Sequence, residues 1–177
     1  QWAADYVAVG GDTGYAPSLM DKILHPVYMD LGYGNFKMST AIRLVLENAS
    51  TTNLGLGVYT NNYTQLAADL VDPTKDITAK LYGLMIKEAD TWFTDPAHNA
   101  YGSDWATLPQ EIKDALYITY TNIGRDGMEK RFNETTANGS LPYEPLPAVG
   151  TGGGLNHLNN AFAIGNAIGV TGYGDQI

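Results

Sequence analysis

The stretch Gly32-Tyr33-Gly34-Asn35-Phe36-Lys37-Met38-Ser39-Thr40-Ala41 constrains this chain most, because two glycines one residue apart run straight into an amphipathic segment that ends near Glu47. Glycine reaches positive φ and lets other groups come close to the backbone, so this is a tight bend, and the helix behind it ties the bend to a core. From Met38, the apolar residues Met38, Ile42, Val45 and Leu46 recur on one helical face, and Asn48 to Asn53 end it with polar residues.

Further helical periods follow. Residues Pro73 to Phe93 carry a stripe of Ile77, Leu81, Leu84 and Met85, with Asp72 placed to cap and Pro73 suited to the first turn. Pro109 to Tyr120 carries Ile112, Ala115, Leu116 and Thr119 on one face, with Glu111 near its start and Gly124 just past its end. A short helix near Gly127 to Phe132 and a last one from Leu155 to Ile168, with Leu158, Phe162 and Ala163 inward, complete the set. Residues 1 to 37 are rich in Gly, Pro, Asp and Tyr and show a helical period over Ser18 to Leu24 alone. No strand pair is legible, so the expectation is a mainly α protein, one domain over residues 1–177, with an irregular N-terminal segment and Gly/Pro-rich loops.

Composition removes several function classes. At 177 residues and 44% hydrophobic, the chain can bury a core, and it contains no apolar run long enough to insert in a membrane. A net charge of −9 argues against a nucleic-acid partner, which would require clustered Lys and Arg. The run Gly150-Thr151-Gly152-Gly153-Gly154 lacks the Gly-Lys-Ser/Thr ending of a phosphate cradle, so no nucleotide cofactor is expected. Cysteine is absent, and His25, His98 and His157 lack the spacing of a zinc hydrolase, so no metal site is expected. The aspartates at 69, 72, 76, 90 and 95 form no EF-hand loop and read as a solvated face. Glycosylation sequons begin at Asn48, Asn62, Asn133 and Asn138, whereas 13 Asn and 22 Ser or Thr in 177 residues would give about 1.6 by chance. The excess favours an extracellular, secreted glycoprotein, and a start at Gln1 suits a processed product or an excised domain.

Four segments, taken in order, carry a resemblance. Gly32 to Ala41 is similar to the Gly-Leu-Met-Gln-Ile-x-x-x-Thr-Ala element of goose-type lysozymes and lytic transglycosylases, matching at Gly32, Thr40 and Ala41. Leu70-Val71-Asp72-Pro73-Thr74-Lys75-Asp76-Ile77 resembles that superfamily's Asp-Pro-x-x-Asn-Ile helix start, and Ala115 to Gly124 resembles its Ala-Tyr-Asn-x-Gly element. The spellings Gly-Asn-Phe-Lys-Met-Ser-Thr-Ala and Thr-Tyr-Thr-Asn-Ile-Gly are similar to lysozyme-like domains of bacterial antagonism toxins and secreted fungal muramidases. The resemblance covers roughly residues 30 to 132 and implies a lysozyme-like helical domain whose partner is the peptidoglycan glycan strand. It leaves room for a separate wall-binding module in a longer precursor.

The implied activity is that of a muramidase, a glycoside hydrolase cutting the β-1,4 bond between N-acetylmuramic acid and N-acetylglucosamine. Such chemistry needs a protonated carboxyl to donate to the leaving oxygen and a second group to activate water or stabilise positive charge. The family places a glutamate upstream of its glycine element, yet no Glu precedes Glu47 here. The candidate acids are therefore Asp12, in the loop Gly10-Gly11-Asp12-Thr13-Gly14, then Asp30, immediately before the bend, then Asp5. Glu47 is expected to face solvent. Tyr33 and Asn35, with Tyr120 and Asn122 from the later element, are candidates for stacking on a pyranose and pairing with acetamido groups. Trp2, Trp92 and Trp105 read as packing residues, with a place lining a cleft as the alternative for Trp105. The competing expectation is a non-catalytic glycan-binding module that keeps the cleft and has lost the acid.

Overall fold

A computed structural model describes residues 1–12, 17–32, 34–95 and 102–107, followed by 110, 113, 114, 116–121, 124, 125 and 128. Helix dominates the described residues, as expected, and strand is confined to one pair of very short segments. The elements are α1 (Trp2–Ala8), α2 (Leu19–Leu24), a 3-10 turn (Pro26–Tyr28), β1 (Asp30–Leu31), β2 (Phe36–Lys37) and α3 (Met38–Asn48). Two more 3-10 turns follow (Thr52–Leu54, Leu56–Tyr59), then α4 (Tyr63–Val71), α5 (Ile77–Thr94) and a last 3-10 segment (Gly102–Thr107). The chain divides into two compact units, Gln1–Leu84 and Met85–Ile177. No described helix is long and apolar enough to cross a membrane.

In the first unit, α3 is the centre. Met38, Ala41, Ile42 and Val45 are all buried, as the helical period requires. Leu46, expected beside them, is 45% exposed, and Leu44 is buried instead. Leu66 and Leu70, one turn apart on α4, and Ile77 and Leu81, one turn apart on α5, are buried as well. Each such side chain contributes about 1.5–3 kcal/mol by leaving water.

Helix boundaries follow local chemistry. Ser18 opens α2 with a capping box, its hydroxyl accepting from the Asp21 amide while the Asp21 carboxylate accepts from the Ser18 amide. Asn62 caps α4 by accepting from the Gln65 amide. α4 stops at Asp72 because Pro73 holds its predecessor extended, at φ −87° and ψ 110°. The helix expected to start at Pro73 starts instead at Ile77. Asp72 does not cap it, since its Oδ1 accepts from the amide and hydroxyl of Thr74 at 2.9 and 2.7 Å in a local turn. Two further expectations are corrected. Residues 2 to 8 are helical although they lack an apolar period, and none of them is buried. A strand pair exists, in antiparallel register with Asp30 opposite Lys37 and Leu31 opposite Phe36.

The second unit is an aromatic core. Trp92 and Phe93 pack edge to face, and Trp105 stacks on Phe93 with centroids 4.7 Å apart and planes 8° from parallel. Tyr117 and Tyr120 meet Phe93 edge on. The described residues between 110 and 121 are helical, with Leu116 and Thr119 buried as expected, and Gly124 has the φ of +68° that suits a helix end. Met128 is helical and buried; the rest of the expected helix 127–132, the loop 133–154 and the expected helix 155–168 lie outside the described residues.

Candidate functional site

The glycine bend joins β1 to β2 and is gripped from one side. Gly32 has φ +67°, and a β-carbon there would lie 2.0 Å from the Leu70 carbonyl oxygen at the end of α4. At Gly34 a β-carbon would lie 2.4 Å from Thr78 Cγ2, and the Tyr82 hydroxyl donates to the Gly34 carbonyl. Phe36 is buried against the edge of the Tyr82 ring. The glycines thus serve close approach of the chain's own helices. Gly32 and Asn35 keep exposed surface, and Asn35 takes φ +49°, a left-handed conformation that Asn tolerates. Tyr33 lies outside the described residues.

All three candidate acids fall in the first unit, and each meets a base. Asp12 is the most enclosed, with a side chain 8% exposed. Its Oδ2 accepts from Arg43 Nε at 3.1 Å, its Oδ1 accepts weakly from the Ser39 hydroxyl at 3.4 Å, and Lys37 Nζ lies 3.6 Å away. Ser39 and Arg43 reach it together because they stand one turn apart on α3. Arg43 also donates to Glu47, which is half exposed, as expected. Burial pushes the Tyr6 phenol above its ordinary pKa, partly offset by a hydrogen bond with the Asp12 backbone.

Asp5 projects from α1 to the joint after α2. Its Oδ1 lies 2.8 Å from His25 Nδ1 and its Oδ2 accepts from the Val27 amide at 3.0 Å. With the carboxylate ionised, Nδ1 carries the proton of that bond. Asp30 accepts from Lys22 Nζ of α2. Since Asp30 faces Lys37 in the hairpin and Lys37 reaches Asp12, the charges alternate along one line: Lys22, Asp30, Lys37, Asp12, Arg43, Glu47. Of the four bases, Lys22, His25, Lys37 and Arg43, only Arg43 has a partner legible in the sequence, through the Ser39/Arg43/Glu47 spacing on α3.

The remaining candidates fall elsewhere. Tyr120 is 1% exposed in the aromatic core of the second unit, its hydroxyl donating to Glu88 at 2.8 Å, so it is a packing residue with no face for a sugar. Trp105 is 7% exposed and likewise core, which is its packing reading and not the alternative of lining a cleft. Asn122, Asn133 and Asn138 lie outside the described residues, as do His98 and His157. Asn62 is exposed, whereas the half-buried Asn48 donates its amide to the Leu44 carbonyl at 2.9 Å. Among the described residues no group of three His, Asp or Glu could hold a metal ion. Asp69 is engaged by the Tyr59 hydroxyl at 2.7 Å and Gln65 at 2.8 Å, and these bonds hold its carboxyl below the ordinary value.

Comparison with protein-family models, with curated proteins and with solved structures finds no match to this chain.

Proposed function

We propose that this chain is a muramidase that hydrolyses the β-1,4 bond between N-acetylmuramic acid and N-acetylglucosamine, with Asp30 as the acid that meets the glycan. The observation carrying this reading is relative access. The Asp30 side chain is 29% exposed, against 12% for Asp5 and 8% for Asp12, and it opens the hairpin whose bend keeps Gly32 and Asn35 at the surface. In the reaction the Asp30 carboxyl gives its proton to the leaving glycosidic oxygen while water adds to the anomeric carbon and loses its proton to bulk water, from which the Asp30 carboxylate is reprotonated. Asn35 offers an amide to the acetamido groups. Asp12, held by Arg43 and Lys37, serves as the anchor that positions β2 and α3.

The test is digestion of purified peptidoglycan sacculi by wild type, Asp30→Asn, Asp12→Asn and Asp5→Asn, with reducing-end analysis of the soluble fragments. Wild type should clear the suspension and leave free reducing sugars, and Asp30→Asn should not. Clearance by Asp30→Asn at the wild-type rate sinks the assignment. Anhydro ends would instead indicate elimination.

A second reading, a non-catalytic glycan-binding module, is favoured by one specific observation: Asp5, Asp12 and Asp30 each have a basic partner. That reading expects co-sedimentation with sacculi and no soluble fragments from any variant.

A further inference from the structure

α2 is a helix without a core. None of its residues is buried, and Leu19, Met20, Ile23 and Leu24 are 77%, 61%, 65% and 64% exposed. Helices of small domains are ordinarily fixed by burying one face. Here the capping box sets the helix locally, and two side-chain contacts tie it to carboxylates elsewhere in the unit: Lys22 to Asp30, and His25, just past its last turn, to Asp5. The Lys22–Asp30 pair, with both side chains about a third exposed, is weak and is screened by salt. Lifting α2 would uncover little apolar surface of its own, because its large apolar side chains are already 61–77% exposed.

We propose that α2 is a displaceable clamp and that Lys22 is an autoinhibitory plug on Asp30. In the closed state the Lys22 ammonium occupies a carboxylate oxygen that the glycan must meet; when α2 lifts, that oxygen is free. The inhibitory role rests on the reading of Asp30 as the acid, whereas the clamp itself does not.

Hydrogen exchange of the whole chain tests the clamp, comparing wild type, Lys22→Met and Asp30→Asn in low and high salt, with the buried amides of α3 as internal reference. Loss of one weak pair should speed exchange in α2 by roughly threefold to fivefold and leave α3 unchanged, and salt should do the same to wild type. Exchange in α2 that responds to neither substitution nor salt overturns the clamp. Digestion of sacculi tests the plug: Lys22→Met should raise the initial rate about threefold and Lys22→Arg should not. If wild type digests sacculi and Lys22→Met is no faster, the plug is overturned while Asp30 keeps its role. If no variant releases fragments, the assignment of Asp30 fails and the plug with it, and the exchange result still judges the clamp.

Discussion

Gly32 stands so close to Leu70 that a β-carbon on the glycine would lie 2.0 Å from the leucine's carbonyl oxygen. That oxygen belongs to backbone and cannot swing aside, and Gly32 also has φ +67°, where an L side chain adds roughly 1 kcal/mol of strain. Gly32→Ala should therefore cost about 3 kcal/mol or more in urea denaturation. Gly34→Ala, which meets the Thr78 methyl rather than backbone, should cost less, about 1–2 kcal/mol. Equal costs at the two positions would refute this account of the bend.

The Asp12 network should respond asymmetrically. Asp12→Ala leaves Arg43 and Lys37 without their shared carboxylate; because both are about a fifth exposed, the cost should be about 2 kcal/mol, below that of a fully buried pair. Glu47→Ala removes only an exposed pair one turn along α3 and should cost less than about 0.5 kcal/mol. Thermal unfolding of the two variants separates them.

A buried hydroxyl marks a place where stability can be gained. Thr78 Oγ1 is buried with no hydrogen-bond partner among the described residues. Thr78→Val keeps the shape that faces Gly34 and removes the unsatisfied group, so it should stabilise by about 1 kcal/mol. A destabilised Thr78→Val would show that the hydroxyl is paired in solution.

The bond from Tyr59 to Asp69 should leave a two-sided pH signature. Burial first, and then the hydrogen bond to Asp69, pushes the Tyr59 phenol up to about 12. A folded value above the unfolded one gives stability that is complete below the ordinary tyrosine range and is lost as pH rises toward 12. Asp69 has the opposite sign: its carboxyl is held below the ordinary value by bonds from Tyr59 and Gln65, so its contribution is present above that value and fades as pH falls through the lowered one. A double-mutant cycle of Tyr59→Phe with Asp69→Asn should give a coupling of about 1–2 kcal/mol at neutral pH, shrinking toward both extremes.

Tyr120→Phe should cost about 1 kcal/mol of stability through the bond to Glu88 and leave sacculus binding unchanged. Trp105→Ala, which unstacks Phe93, should cost about 3 kcal/mol or more. Parallel denaturation and co-sedimentation measurements check both.

Helical period made α3, α5 and the segment ending at Tyr120 legible, because burial of Ile42, Leu81 or Leu116 is written in spacing. It failed where structure is fixed by other means. α1 buries nothing, so no stripe marks it, whereas the period over Ser18 to Leu24 marks α2 although none of its residues is fully buried. The beginning of α5 is not legible because Asp72-Pro73 reads equally as a helix start and a helix stop, and the side chain of Asp72 is committed to Thr74. At the candidate site the acids could be named from the sequence, but their partners come from elements far apart in the chain, and no local pattern connects Lys22 to Asp30 or Asp12 to Arg43. For Tyr120 the sequence leaves both roles open, because an aromatic beside an amide looks the same whether it faces a sugar or a core.

A ladder of two residue pairs is too short to choose its own position. The bend is located instead by the end of α4 and the beginning of α5, which grip it through Leu70, Thr78 and Tyr82. Its outward side chains therefore take no part in strand pairing, and what limits substitution at Asn35 is its φ of +49°, which favours Asn or Gly, rather than the ladder.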